Sequence, residues 1–251
     1  MSRTNPEIKT GGRQSASTLG LASPSQPAVD GDRFIAKLKD IASGTPLYAM
    51  NLFVFSVFVA GFGSEIQTLA KTGDVNLALA ITEQLATMAF GTLQMVLFVV
   101  RRPPLRKARG IVPRAIALLS TNFGFAFVLL PRIHQPPRML LISTCVALLG
   151  LTGSIFCAAK LGRAFSILPQ ARGFVSDGPY RFVRHPLYLA EQITTFGVCC
   201  QFLQPWAFLM ALVSLFLQIL RMDYEEQVLA EAFPEYRAYA ARTARLIPGV
   251  Y

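Results

Sequence analysis

Six apolar runs, each near the length needed to cross a lipid bilayer, constrain this chain more than any other feature. They are Leu47–Leu69, Val75–Val100, Pro113–Leu130, Met139–Ala159, Leu187–Leu203 and Trp206–Leu220. A hydrocarbon core of about 30 Å takes roughly 20 apolar residues as a helix, and within it only helices or closed barrels satisfy their own backbone. The third, fifth and sixth runs fall short of that length. The fold class they imply is all-α, a polytopic membrane helix bundle of about six spans. The last two runs are divided only by Gln204–Pro205, so they read as a tight helical hairpin. Composition agrees. The chain is 53% hydrophobic and 15% charged, with a mean hydropathy of +0.44, where soluble domains are roughly a quarter charged.

The net charge is +10. With both termini cytoplasmic, the inner segments are the N-terminal tail, Arg101–Arg114, Lys160–Arg184 and everything from Arg221 onward. They hold 21 of the 24 basic residues, the exceptions being Lys71, Arg132 and Arg138. That bias fixes the expected orientation, and it attracts anionic headgroups, so the lipid bilayer is an expected partner. Nucleic acid is not expected, because the basic residues are spread over loops between spans rather than gathered on one face. Cys145, Cys157, Cys199 and Cys200 all lie inside spans, without a CxxC pair or a His at ligand spacing. They read as packing residues, and neither a disulfide framework nor a metal site is expected.

The chain divides into three parts. Residues 1–31 are rich in Ser, Thr, Gly and Pro, lack an apolar core for a signal peptide and read as a disordered tail. Residues 32–138 hold the N-terminal membrane helices. From Asp32 to Ile41, Phe34, Ile35, Leu38 and Ile41 recur at helical spacing with Lys37 and Lys39 between them. This reads as a short helix on the membrane surface, or else as the start of the first span. Residues 139–251 change character and form the functional core.

Ionisable residues inside spans are suspects by default. Glu83 is the deepest of them in the first half of the chain, and a hydrogen bond to a neighbouring helix is its favoured role over a place in a pocket. In the fourth span, Gly150 and Gly153 let helices approach closely. The loop that follows, LGRAFSILPQARGFVSDGPYRFVRHP, crowds glycine, proline, aromatic and basic residues together, which suits a binding loop. After the hairpin comes a charged, Tyr-rich tail with helical character.

Pro186 is well placed at the first position of a helix. Tyr188 then stands one turn on, with Glu191 and Gln192 a turn beyond. Across the hairpin Arg221 and Glu225 share a helical face. Taken alone, Arg221–Glu225 reads equally as an i,i+4 ion pair of a few tenths of a kcal/mol. His185 alone reads as a capping or headgroup-facing residue.

The ordered set is more specific. Leu161-Gly162-Arg163-x-Phe165-Ser166, Gly178-Pro179-Tyr180, Arg184-His185-Pro186-Leu187-Tyr188, Arg221-x-x-x-Glu225-Glu226, Glu235-Tyr236-x-x-Tyr239 and Ile247-Pro248 together resemble the isoprenylcysteine carboxyl methyltransferase family and its relative phosphatidylethanolamine N-methyltransferase. The likeness covers about Met139 to Tyr251. It implies an integral membrane enzyme that uses S-adenosylmethionine at the cytoplasmic face, without a soluble methyltransferase domain. It further implies that Gln170, Arg172, Gly173, Phe174, Val175, Tyr180, His185, Pro186, Leu187, Tyr188 and Glu225 bind the cofactor. Arg221, as the catalytic residue, would address the acceptor's carboxylate. Arg172 stands where eukaryotic carboxyl methyltransferases carry His, and Pro234 where Gly is expected after Phe233.

The resemblance suits a hydrophobic or lipidated acceptor, with carboxyl O-methylation the leading reaction. A carboxylate nucleophile needs no general base, only a planar cation to orient it. Phospholipid N-methylation and thiol S-methylation are the alternatives within the family. An NADPH-dependent sterol-type reductase and a non-enzymatic membrane protein are alternatives of other classes, the latter making Glu83 the sensitive position.

Overall fold

The computed structural model describes residues 30–42, 45–131 and 135–249. The tail expected to be disordered lies outside them up to residue 29. Helix α1 spans Asp30–Ala42, α2 Thr45–Thr72, α3 Val75–Val100, α4 Val112–Asn122, α5 Pro137–Leu161, α6 Pro186–Phe202, α7 Pro205–Ala232 and α8 Tyr236–Arg242. Two-residue strands, β1 (Arg106–Lys107) and β2 (Gln170–Ala171), pair antiparallel and join the α3–α4 linker to the loop after α5. The architecture is an all-α bundle, as the apolar runs imply.

Among the described residues, four helices are long and apolar enough to cross a membrane: α2, α3, α5 with its one-turn extension, and α7. The other two expected spans take different forms. In the third, Asn122 Nδ2 donates to the Leu118 carbonyl at 2.8 Å, and the α-helix stops there. The chain continues as a 3₁₀ stretch over Phe123–Leu129. At 1.5 and 2.0 Å per residue the two segments together extend roughly 30 Å, about one hydrocarbon core. The fifth run is α6, one turn shorter than a typical span. Helix α7 is longer than expected, a continuous 28 residues or roughly 42 Å. Its last turns carry Arg221, Glu225 and Glu226 past the apolar zone on a rigid rod.

The α6–α7 hairpin turns at Leu203, which adopts a left-handed conformation (φ 47°). Gln204 closes the turn by donating to the Pro131 carbonyl. Helices α5 and α6 pack closest of all. A Cβ built on Gly197 would lie 2.4 Å from the Ala147 nitrogen, and one on Gly150 would lie 2.4 Å from the Thr194 nitrogen. Backbone therefore meets backbone along this seam. Glu83 accepts from Gln201 Nε2 of α6 at 2.8 Å, the interhelical bond favoured from its position.

Helix α1 is not merely laid on a surface. Asp40 is 4% exposed and binds two buried guanidiniums, Arg101 at 3.0 Å and Arg172 at 2.8 Å. Burial alone would raise this carboxyl, but the hydrogen bonds and charges of Arg172 and Arg101 outweigh burial and hold it below its ordinary value of 3.8. The ionised form is thus favoured on folding, and the contact contributes fully at any pH above the ordinary value. Acid is expected to leave it intact down to about pH 4 and to release it only below that. Hydrogen exchange of α1 followed through an acid titration would measure this.

Candidate active site

Three peptide segments meet at the end of the bundle opposite the hairpin turn. The first is the loop after α5. A 3₁₀ turn over Gly178–Arg181 leads it into His185, the residue before α6. The second is the C-terminal part of α7. The third is α8 and the extended residues beyond it, which run back alongside the loop. There the Arg184 amide donates to the Ala244 carbonyl at 2.8 Å and the His185 amide to the Arg245 carbonyl at 3.1 Å. Tyr239 adds a 2.6 Å hydrogen bond to the Tyr180 carbonyl. Burial pushes the Tyr239 phenol up to about 12, so it remains a donor at neutral pH.

Between these segments lies a cavity that opens partly to solvent. Of the residues singled out from sequence, Gly173, Phe174, Val175, Tyr180, His185, Leu187, Tyr188 and Glu225 line it. Gln170, Arg172, Pro186 and Arg221 do not. The side chains of Gln170 and Arg172 bond to each other, and Arg172 is occupied with Asp40. Arg221 sits just behind the wall, its guanidinium 4.9 Å above the Tyr188 ring.

One wall is aromatic. Phe174 stands edge-on to Tyr236 at 5.8 Å and to Tyr239 at 5.2 Å, while His185 stacks on Tyr188 at 5.4 Å. Beside Tyr188 the lining is acidic. Glu225 Oε1 accepts from the Tyr188 hydroxyl at 2.5 Å and from Arg221 Nε at 3.1 Å. Its other oxygen makes no hydrogen bond among the described residues. The Tyr236 hydroxyl, on the lining, is buried without a partner. An unpaired buried hydroxyl costs about 1–3 kcal/mol, and this one would be relieved by a ligand's polar atom.

Two charge clusters flank the cavity. Glu226 gathers His185 at 2.9 Å, Arg245 at 3.2 Å and Arg184 at 3.4 Å. This ties the segment before α6, α7 and the C-terminal strand together. Behind Tyr188, Arg221 donates to Thr121 of α4 at 2.9 Å, and Glu191 of α6 accepts from Gln218 of α7 at 2.8 Å. Sequence reasoning gave no role to Arg184, Arg245 or Ser166, and it treated Tyr236 and Tyr239 only as motif letters. The i,i+3 spacing of those two tyrosines was the one signal pointing to a shared face.

Comparison with known proteins agrees with the motifs. Residues 139–236 match the family described as phospholipid methyltransferase, which lies within the isoprenylcysteine carboxyl methyltransferase-like group of membrane methyltransferases. With its apolar helices, this makes the chain an integral membrane protein. One relative is the cobalt-zinc-cadmium resistance protein CzcN of Cupriavidus metallidurans. It is 32% identical over 116 residues, which are 45% of this chain and 50% of that protein. The chain thus spans about half the length of the curated relative it matches.

Proposed function

We propose that the protein is an S-adenosylmethionine-dependent membrane methyltransferase acting on a hydrophobic acceptor, its site at the cytoplasmic face. The observation that carries this reading is the cavity that pairs an aromatic wall with the open oxygen of Glu225. Aromatic faces and a carboxylate both favour a cation, and the donor of methyltransferases is a sulfonium. When bound, S-adenosylmethionine supplies the electrophilic methyl group. Phe174, Tyr188 and Tyr236 would face its charge, Glu225 would accept from its hydroxyl or ammonium groups, and the unpaired Tyr236 hydroxyl would gain a partner. The apolar walls at Val175, Leu187 and Leu229 exclude water.

In-line displacement depends on alignment and on a dehydrated nucleophile. Arg221 supports carboxyl O-methylation. Its Nε and Nη1 are held by Glu225 and Thr121, while Nη2 makes no hydrogen bond among the described residues. A fork fixed on one side and open on the other suits the orientation of an acceptor carboxylate.

A second reading rests on Glu191. Arg221 lies between two acids, Glu191 and Glu225, and with both ionised it balances only one of them, so the buried cluster would then lack one positive charge. A sulfonium restores neutrality, and an acceptor carboxylate would then add an unbalanced charge. An acceptor that sheds a proton, an amine or a thiol, would instead leave that proton to Glu191. Membranes containing the protein, incubated with methyl-radiolabelled S-adenosylmethionine, separate the cases. Label released by mild alkali as methanol indicates an ester, and alkali-stable label in lipid indicates N-methylation. No protein-dependent transfer would refute the proposal. Within the same assay Glu225→Gln is expected to raise the S-adenosylmethionine KM by about tenfold or more, equivalent to one charge-assisted hydrogen bond of roughly 1.5–3 kcal/mol.

A further inference from the structure

The loop that forms the aromatic wall is held from outside the family-matched stretch. Arg172 immediately precedes Gly173, Phe174 and Val175 of the cavity lining, and its side chain is wholly enclosed. Its Nη1 and Nη2 take both oxygens of Asp40, at 2.9 and 2.8 Å, as a bidentate fork. Nη1 also donates to the Arg102 carbonyl, Nη2 to Gln170 and Nε to Ser166 Oγ at 3.3 Å. Ser166 itself lines the cavity. Arg101 shares the same carboxylate, with Nε at 3.0 Å from Oδ2, and its guanidinium lies 3.3 Å above the Phe98 ring. One buried carboxylate of α1 therefore binds two buried guanidiniums, one from the α3–α4 linker and one from the cavity loop. Asp40, Arg101 and Arg102 all precede the family-matched residues 139–236.

We infer that Asp40 is a positioning residue: through Arg172 it holds the loop 166–175 in the shape that closes the cofactor cavity. The physical reason is asymmetry. An ion pair with both partners buried is tolerated, whereas removing one leaves an uncompensated charge that must find water. Without Asp40, Arg172 and Arg101 can reach water only by moving the backbone that carries them. For Arg172 that backbone continues directly into Gly173 and Phe174. Beside Gly173 there is little slack, since a Cβ there would stand 3.0 Å from Ala164 Cβ. Displacement of Arg172 is therefore transmitted along the wall rather than absorbed.

The inference rests on the proposed function only for the identity of the ligand, and its test has two separable arms. In the full-length protein without added cofactor, Asp40→Asn is expected to speed hydrogen exchange of residues 166–175 by about tenfold or more, while α6 and the membrane part of α7 stay unchanged. Arg172→Gln should do the same. The double variant should loosen the loop no more than Asp40→Asn alone, because either change already breaks the one link between Asp40 and the loop, while Arg101 loses its carboxylate in both Asp40→Asn proteins. In the second arm, the S-adenosylmethionine KM should rise about tenfold in Asp40→Asn with kcat nearly retained at saturation. Asp40→Glu keeps the charge and shifts it by one methylene, giving the same loop-confined change at smaller amplitude. It serves where Asp40→Asn does not accumulate. Exchange that is unaltered in 166–175, or raised equally throughout the bundle, overturns the inference. Loop-confined exchange in a protein that shows no S-adenosylmethionine-dependent transfer would leave the lock standing and refute the proposed function instead.

Discussion

Arg221→Ala is expected to lower turnover by about 10²- to 10³-fold, the usual cost of deleting a group that stabilises or orients reacting charge. Affinity for S-adenosylmethionine should stay within about tenfold, a step of 1.4 kcal/mol. The separation follows from placement. Glu225, Tyr188 and His185 line the cavity, whereas Arg221 lies behind Tyr188 with one nitrogen uncommitted. Glu225 keeps its 2.5 Å bond from Tyr188 when the arginine is gone, so its carboxylate remains anchored at the lining. Arg221→Lys should recover little, because an ammonium cannot hold Glu225 and Thr121 and still present a free donor in the same plane. Kinetics at saturating cofactor, beside equilibrium binding of the same variants, gives the comparison. Loss of cofactor binding in parallel with turnover would make Arg221 part of the cofactor site rather than the acceptor site.

Gly197→Ala is expected to destabilise the bundle by about 1–3 kcal/mol, the range for overpacking a close-packed site, and a larger side chain to prevent assembly. Apolar helices gain nothing from one another by leaving lipid, so packing and close approach drive their association. At Gly197 the added carbon would meet the Ala147 nitrogen at 2.4 Å and its Cα at 2.7 Å. Those are backbone atoms of a long helix and cannot swing aside. Gly150→Ala should behave alike, facing the Thr194 nitrogen at 2.4 Å. Gly153→Ala should cost less, with only the Ala190 Cβ at 3.2 Å, and Gly91→Ala in α3 should cost nothing, having no atom within 4 Å. Thermal or denaturant unfolding in detergent ranks the four. A flat series, or an equal loss at Gly91, would mean that α5 and α6 do not pack this way.

What could be read from sequence tracks how local each cause is. Apolar length foretold the spans, the Gln204–Pro205 break foretold the hairpin, and the order of motifs around His185 and Arg221 foretold which elements build the cavity. The third span misled because its apolar residues continue on both sides of the short polar stretch Ser120-Thr121-Asn122. Only the side chain of Asn122, bonded back to Leu118, marks where the α-helix ends. The sixth run seemed to stop at Leu220 because hydropathy falls there, yet helical propensity does not, and α7 continues to Ala232. Glycine at 150 was legible as a close-approach residue, whereas Gly197, its counterpart on α6, lay in a stretch without other small-residue spacing. The bond between Asp40 and Arg172 joins residues 132 positions apart, and nothing local distinguishes Asp40 from a solvated acid beside two lysines. Strand-like pairing of Ala244 and Arg245 with the segment before His185 is equally non-local. Such contacts decide how tightly the loop is held, which is why the cavity wall could be named from sequence but its support could not.

The proposed function requires that the cavity lined by residues between Gly173 and Tyr188 and by Glu225 bind a sulfonium. Equilibrium binding of radiolabelled S-adenosylmethionine to the purified protein tests it most directly, with S-adenosylhomocysteine and NADPH as competitors and Glu225→Gln and Tyr236→Phe as variants. Saturable binding displaced by S-adenosylhomocysteine, indifferent to NADPH and weakened in both variants is the predicted result. Absence of saturable binding, displacement by NADPH, or wild-type affinity in Glu225→Gln would contradict it.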